Sequence, residues 1–570
     1  MKPFKIMIAL LTAVSMIVLG ITGVQGMEID LSQSAADMEI PIVAAEYDEV
    51  GSILSPEEPL PSSYSSKDLG YTTGILYQQF NTCWAYSSQA AFESLLLKNG
   101  ESISHLSTMH MNYWATPDSK GNGWQRGYTD AGYPYIPLGY LTSWSGAYTE
   151  EAYPVDTPFE AFDRSILPNR PLYGATAVIY LDGSDKETIK TAVKENGGAA
   201  ASFHYSRGFL NENNYYCYQE GLSTAQLFGH SVEIIGWDDN YKKENFRTEV
   251  YSESQVPEEE SPTEPAPDDI QVFMPENDGA WLCKNSWGEY FGDRGYFWIS
   301  YEDRYLFDHR FGPVFSIMDY QAVDENTKMY QNEIYGADCQ FDFIEQLSPA
   351  TQELTFSNVF DFSDKMTQLD KIIFETETVG AEYTVFYIPV DQNGAPVTDK
   401  NRWVSLSQGT VGYEGFICVD IKDRVLPEGK AAVGITLKKT APSQVLGVGV
   451  GEWITSGGRY IFTPDSEDRQ SYLLGYEDEA IDVMDFYKTY LDDEIGGTLV
   501  IKAVAKRSEY VSGDVDHDGK LSIVDATHIQ RMLAALETFS DEQDTLGDYD
   551  LDGKVTVVDV TYIQRHLAGF

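Results

Sequence analysis

Apolar residues along this chain follow two spacings, one helical and one of strands. Around residues 83–98 the spacing is helical: Ala85, Phe92 and Leu96 share a face, Thr82 stands where an N-cap belongs, and Asn99-Gly100 is a stop signal. Further on, the period shortens to that of strands. Residues 197–205 (GGAAASFHY) and 228–237 (FGHSVEIIGW) read as strands, the second ending at Asp238-Asp239-Asn240, and 279–300 carries two more around Lys284-Asn285-Ser286-Trp287-Gly288. From about 319 to 507, short runs rich in Val, Ile, Phe and Tyr (371–374, 383–388, 431–437, 499–505) alternate with turns such as Asn393-Gly394 and Ser456-Gly457-Gly458, which predicts an all-β sandwich. Helical spacing returns near the C-terminus. Ala526, Ile529, Leu533 and Leu536 share one face, and Val560, Ile563, Leu567 and Phe570 another.

That last segment is an internal repeat. Residues 513–536 align with 547–570 at a constant offset, so Asp514, Asp516, Asp518, Gly519 and Asp525 match Asp548, Asp550, Asp552, Gly553 and Asp559. Carboxylates at loop positions 1, 3, 5 and 12, with glycine at 6 for the sharp turn, form the oxygen-ligand spacing of a calcium loop. The backbone carbonyls of Lys520 and Lys554 would supply position 7. An acidic solvated face explains one such loop, but not two at a fixed offset.

The beginning of the chain is different again. Lys2 and Lys5 precede an apolar run from Ile6 to about Val24, which predicts a signal peptide over 1–26; an uncleaved anchor is the alternative. No other stretch is long and apolar enough to span a bilayer. Residues 27–59 are acidic and aperiodic, a linker or short pro-segment. The acidic, Pro-rich stretch 256–267 has nothing to bury and reads as a disordered surface loop.

Composition narrows the classes. At 570 residues the chain has room for three or more domains. A formal net charge of −50 argues against a nucleic-acid backbone or an anionic membrane as partner, and suits calcium sites. Five cysteines, Cys83, Cys217, Cys283, Cys339 and Cys418, are too scattered for a disulfide scaffold or zinc site. An odd number in a secreted chain leaves at least one free thiol, assigned to Cys83; pairing among the others stays open.

Cys83 falls in the first helical turn, where the dipole and free N–H groups favour a thiolate. A nucleophile there needs a base and a group to orient the base. His230, after Gly229 at the start of an apolar strand, is the best-placed base. Asn285 can accept the imidazole N–H without adding charge, and Trp287 can shield that bond. Taken singly, each has a plainer reading: Cys83 as a small buried hydrophobe, His230 as a core histidine, Asn285 as a turn residue, Trp287 as core.

Their flanks carry a resemblance. Thr82-Cys83-Trp84-Ala85-Tyr86-Ser87, Gly229-His230-Ser231-Val232 leading to Gly236-Trp237, and Lys284-Asn285-Ser286-Trp287-Gly288 leading to Gly295-Tyr296-Phe297 resemble the papain-family cysteine peptidases, in that family's order. Ile103-Ser104-His105-Leu106 resembles the segment after the family's first helix, and residues 238–246 its bacterial branch. The resemblance spans about 60–318. It implies an α+β domain in which a helical half carries Cys83, a β half carries His230 and Asn285, and substrate lies between. It implies Cys83 as nucleophile, His230 as acid and base, Asn285 as orienter and Trp287 as cover, in acyl transfer that hydrolyses peptide bonds with no cofactor. The family's oxyanion glutamine stands six residues before the cysteine. Here Tyr77 is at that position, and a one-residue deletion would bring Gln78 into the role. Gln79 and Asn81 replace the usual glycines, and residues 27–60 leave no room for the family's long inhibitory pro-domain.

Residues 512–570 resemble the dockerins of cellulosomal enzymes. That resemblance implies a small α-helical module holding two calcium ions and docking to a cohesin on a scaffold protein through Ile523, Val524, Val557 and Val558. Packing of those four inside the module is the alternative. Residues 319–507 resemble a lectin-like β domain, with carbohydrate a possible ligand and a purely structural sandwich an equal alternative. The expectation is thus a secreted, extracellular endopeptidase on a cell-surface or released multi-enzyme complex. Two rivals remain: a peptidase-like binding or inhibitory module without turnover, and a glycan- or wall-binding component working through the sandwich.

Overall fold

The computed structural model describes residues 59–158, 171–219, 228–251, 270–307, 312–336, 339–342, 351–363, 366–452, 454–456, 459–463, 467–476, 479–490, 497–551 and 553–568. The expected signal peptide (1–26), nearly all of the linker (27–59) and the acidic loop 256–267 lie outside these residues.

The helix over Cys83–Lys98 forms as its pattern predicts, and its burial goes further. Every residue from Trp84 to Leu96 is buried, not just one face. Strand Phe228–Asp238 packs on it, as do the short helices Thr108–Trp114 and Tyr135–Thr142 and the helix Lys186–Asn196. Its polar side chains therefore find internal partners. Gln89 Nε2 donates to Ser107 O at 3.2 Å, and Ser88 Oγ returns to Trp84 O at 2.5 Å. Thr82 does not cap the helix with its side chain, because its hydroxyl donates instead to Gln79 O in the preceding turn. The stop behaves as read: Asn99 N bonds to Leu95 O and Gly100 takes a φ of 86°.

The strands around the site belong to one thirteen-stranded sheet that runs on into the β region. Its peptidase end runs from Tyr173–Leu181 through Val314–Ala322, Ala199–Tyr205, Phe228–Asp238 and Ala280–Lys284 to Tyr296–Ser300. At Tyr173–Leu181 it continues into the β region: Gly415 pairs with Ile179 and Phe416 with Val178, and the sheet goes on through Gly415–Val425, Gln368–Thr376, Ile501–Lys506 and Thr327–Tyr330. A second, six-stranded sheet built around Glu353–Asp361, Glu382–Pro389 and Lys430–Lys438 covers this half. Between the two lies a core that includes Leu354, Phe356, Leu369, Ile372, Phe374, Val433 and Ile501, so the sandwich forms as expected. It is not a separate body, however. Ile372 and Phe374 face the sandwich, while Ile373, Phe416 and Val504 join the core beneath the Cys83 helix.

The C-terminal module folds as helices Ile523–Leu533, Asp541–Gly547 and Val557–Leu567 around Val515, Ala526, Ile529, Leu546, Val560 and Ile563. The predicted stripes are only half used. Leu533, Leu536 and Leu567 are exposed, because the helices end at 533 and 567; Phe570 lies outside the described residues.

Candidate active site

Three elements deliver the three residues singled out above. Cys83 opens its helix and is half-buried. His230 sits near the start of strand Phe228–Asp238, opposite Phe203, and Asn285 directly follows strand Ala280–Lys284 on the other side. His230 Nε2 lies 2.8 Å from Asn285 Oδ1. That oxygen also accepts from Ser286 N at 2.7 Å, which identifies it as the amide oxygen and makes Nε2 the protonated ring nitrogen. Nδ1 is left as the proton acceptor. The Trp287 ring stacks on His230 at 4.2 Å with 23° between planes, and Phe203 meets it edge-on at 5.8 Å.

Burial dominates the electrostatics. It pushes the His230 imidazole down to about 4, opposed by the Asn285 bond, and pushes the Cys83 thiol up. The thiolate is favoured by the backbone and hydroxyl of Ser231 and by the N–H groups of Trp84 and Cys83. Ser231, the residue after His230, thus lies against Cys83. Desolvation opposes both charged forms of the pair, so an ion pair here depends on the attraction between its own members.

Each of the three elements also contributes a charged residue to one buried network. Glu93 is on the Cys83 helix, Glu233 on the His230 strand, and Lys284 immediately precedes Asn285. Lys284 Nζ lies 4.0 Å from Glu93 Oε2 and 3.8 Å from Glu233 Oε2, and donates to Thr73 Oγ1 at 2.8 Å. Glu93 also accepts from Leu106 N at 2.6 Å, and Glu233 from Ser94 Oγ at 2.5 Å. Burial raises Glu233 to about 7 against the pull of Lys284. A small pocket lined by Leu76, Glu93, His105, Lys284, Asn285 and Ser286 lies behind the site. A second small pocket opens beside Trp84 and Ser231 over Ala200, Ser202 and Phe315.

Gln78 is drawn to the Asn285 segment. Its N–H donates to Ser286 O at 2.7 Å and its Oε1 accepts from Ser286 Oγ at 2.8 Å, while Nε2 donates to Phe80 O at 3.0 Å. Tyr77, at the expected register, pairs with Trp287 and is 72% exposed. The chain between Gln78 and Cys83 turns through Phe80 in a left-handed conformation at φ 59°, a turn usually left to glycine. Ser231, Ser286 and the Glu93–Lys284–Glu233 network were not foreseen. Their only signal in the sequence is that Ser231, Ser286 and Lys284 adjoin His230 and Asn285.

Cys83, Cys217, Cys283 and Cys418 are all free thiols; the Cys339 side chain lies outside the described residues.

In the tail, Asp514, Asp516 and Asp525 bring carboxylate oxygens within 4.8 Å of one another, as do Asp548, Asp550 and Asp559. Asp525 and Asp559 double as capping-box residues with Ser522 and Thr556. That geometry suits the short Asp side chain at position 12. Asp518 does not join its group; its carboxylate accepts from Lys520 N at 3.0 Å, and Asp552 lies outside the described residues. Asp514, Asp525, Asp548 and Asp559 are buried, and burial together with Asp525 and Asp516 raises Asp514. Buried, mutually repelling carboxylates suit a hard divalent cation. Ile523, Val524, Val557 and Val558 are 57, 48, 65 and 45% exposed, so they do not pack inside the module.

Fold and site together define a papain-like protease body extended by a β sandwich and a small helical module. Comparison with known proteins agrees. Residues 61–309 match the papain family cysteine protease, 329–505 the lectin like domain, and 512–568 the dockerin type I domain. The structure of the clostridial cysteine protease Cwp84 after propeptide cleavage is 30% identical, with a TM-score of 0.65, covering 79% of this chain and 100% of that one. The structure of the cysteine protease and lectin-like domains of Cwp84, described as a surface layer associated protein of Clostridium difficile, is 29% identical at a TM-score of 0.64, covering 79% and 90%. Cathepsin S of Rattus norvegicus is 26% identical over 251 residues, 42% of this chain and 61% of its own length. The chain spans 58–61% of the length of the first curated relatives it matches. This chain belongs to the papain family of cysteine proteases, and carries a lectin-like domain and a dockerin behind its protease domain.

Proposed function

We propose that this chain is a secreted cysteine endopeptidase that its dockerin tethers outside the cell. The His230–Asn285 bond under the Trp287 ring, with Ser231 against the Cys83 thiol, is the observation that carries the catalytic reading. In that reading Asn285 holds the Nε2–H tautomer, and Nδ1 takes the Cys83 proton. The thiolate attacks the peptide carbonyl, the imidazolium protonates the leaving amine, and water then releases the acyl group. Gln78 contributes to the oxyanion hole.

Asp514, Asp516, Asp518, Asp525 and the Lys520 carbonyl hold one calcium ion in this reading, and Asp548, Asp550, Asp552, Asp559 and the Lys554 carbonyl a second. The exposed Ile523, Val524, Val557 and Val558 form the apolar centre of a cohesin interface on a scaffold of cellulosome type. The surface-layer association printed for Cwp84 supports a cell-surface setting. Carbohydrate remains the candidate ligand of residues 319–507. In this reading the chain divides into protease 60–318, sandwich 319–507 and dockerin 512–570.

The test is hydrolysis of an unbiased peptide library, under reducing conditions with calcium, by wild type and Cys83→Ala. Cleavage lost in the variant supports the reading, and equal cleavage by both overturns it. One observation favours a rival reading, a peptidase-like module with little turnover: Gln78 Nε2 already donates to Phe80 O. Absence of cleavage by either protein would favour it, since losing one oxyanion donor costs about 2.7–4 kcal/mol of barrier.

A further inference from the structure

The two calcium loops are copies, yet their surroundings differ. At loop position 4 both backbones turn left-handed, with φ 58° at His517 and 61° at Leu551. His517 is exposed, whereas Leu551 is 3% exposed and belongs to the core of the β sandwich. Tyr549, at position 2 and two residues before it, is 6% exposed and within electrostatic reach of Tyr387 and Glu428 on the sandwich. From the other side, Val425, the last residue of strand Gly415–Val425, packs against the dockerin core. Its neighbour Arg424 reaches Asp548, the first carboxylate of the second loop, with Nη1 3.5 Å from Oδ2. Asp548 Oδ2 also accepts from Gly553 N at 2.8 Å, the bond that closes the loop.

The connection is short. Strand Ile501–Lys506 leads into the module through residues 507–511, and Arg507 N is pinned to Asn326 O at 2.8 Å. Five extended residues reach at most about 18 Å.

We propose that the end of strand Gly415–Val425, at Arg424 and Val425, is a receptor for the dockerin's own second calcium loop, so that calcium binding there and seating of the module on the sandwich are linked. The loop presents Leu551 only when its carboxylates are drawn together. Seating in turn buries Leu551 and Tyr549, which favours the ion-bound loop by an amount that exceeds the repulsion between Arg424 and the ion. Linkage of this kind is reciprocal: whatever unseats the module weakens calcium at the second loop and leaves the first unchanged. The seat leaves Ile523, Val524, Val557 and Val558 exposed, so the enzyme body is held at a set orientation behind the cohesin-facing surface.

This rests on the calcium reading of the tail, and the experiment separates the two. The full chain, with Cys83→Ala to prevent self-digestion, is treated with trypsin in calcium, and cleavage after Lys506 and Arg507 is timed beside a calorimetric calcium titration. Val425→Asp, which lies outside the dockerin, should speed cleavage tenfold or more and weaken one of two calcium sites more than threefold. Leu551→Ser, which adds no charge to the loop, should do the same from the loop side, and His517→Ser, its counterpart on the first loop, should change neither. Cleavage of both Val425→Asp and Leu551→Ser at the wild-type rate with calcium bound overturns the seat. Faster cleavage with both calcium affinities unchanged overturns the linkage. A wild-type chain that binds no calcium overturns the calcium reading itself.

Discussion

Replacing Asn285 by alanine tests the catalytic reading most directly. Asn285 Oδ1 serves two buried donors, His230 Nε2–H at 2.8 Å and Ser286 N–H at 2.7 Å. Truncation strands both, and each buried donor left without a partner costs about 1–3 kcal/mol. The ring itself stays in place, because Trp287 and Phe203 still hold its two sides. What is lost is control of the tautomer and of rotation in the ring plane. A share of the molecules then carries the proton on the nitrogen that should accept one, and the acceptor is no longer aimed. We expect kcat/KM on a peptide substrate to fall about 100-fold, equivalent to about 2.7 kcal/mol. The pH profile supplies a second readout. Burial holds His230 down to about 4 and the Asn285 bond pulls it up, so removing that bond moves the acid limb of kcat/KM lower. Asn285→Asp puts a charge where the amide was and moves the limb upward by about 1–3 pH units. Activity of Asn285→Ala within twofold of wild type, or an acid limb that moves in the same direction in both variants, refutes the reasoning.

The buried network gives a stability prediction: Lys284→Ala leaves Glu93 and Glu233 facing each other without a cation, and should cost about 3–5 kcal/mol in denaturant unfolding. Glu233 gives a pH signature. Its folded value of about 7 is raised from 4.5, so its contribution to stability is present below about pH 4.5 and is lost as pH rises to 7. Thermal melts should therefore show Glu233→Gln gaining on wild type across that window, by about 3 kcal/mol at most. Calcium removal with a chelator should reduce far-ultraviolet helical signal from residues 523–567 while leaving the main unfolding transition in place, as followed by circular dichroism and calorimetry.

Much of this was legible from local pattern. The helix over 83–98, the strands at 199–205, 228–238, 368–376, 382–389 and 430–438, and both calcium loops follow from period and turn chemistry, because each is specified by neighbours in the chain. Long-range features were not legible. Nothing near Cys83 shows that its helix is buried on all sides; that follows from the elements packed around it. The capping role of Thr82 failed because a closer acceptor, Gln79 O, took its hydroxyl. The helices over 186–196 and 483–490 and the short helix over 541–547 were also missed. One signal was present and unread. The two repeats differ at His517 and Leu551, and an apolar residue at an exposed loop position points to something that covers it.

The continuous sheet decides how far the parts can be separated. Two cores meet across Gln368–Thr376: Ile372 and Phe374 are held by the sandwich, and Ile373 between them by the core under the Cys83 helix. Deleting 319–507 therefore does more than remove a neighbour. It takes Ile373, Phe416, Val500 and Val504 from the core beneath the nucleophile, and exposes the edge of strand Tyr173–Leu181 where Gly415 and Phe416 had paired. Strand Val314–Ala322, which runs through the cut, loses its second half. An apolar strand with an open edge invites pairing with other chains. A fragment ending at 318 is expected to aggregate, or to melt well below the full chain, even though it contains Cys83, His230 and Asn285. A monomeric fragment with the melting temperature and activity of the whole protein would show that the shared sheet is packing without consequence for the site.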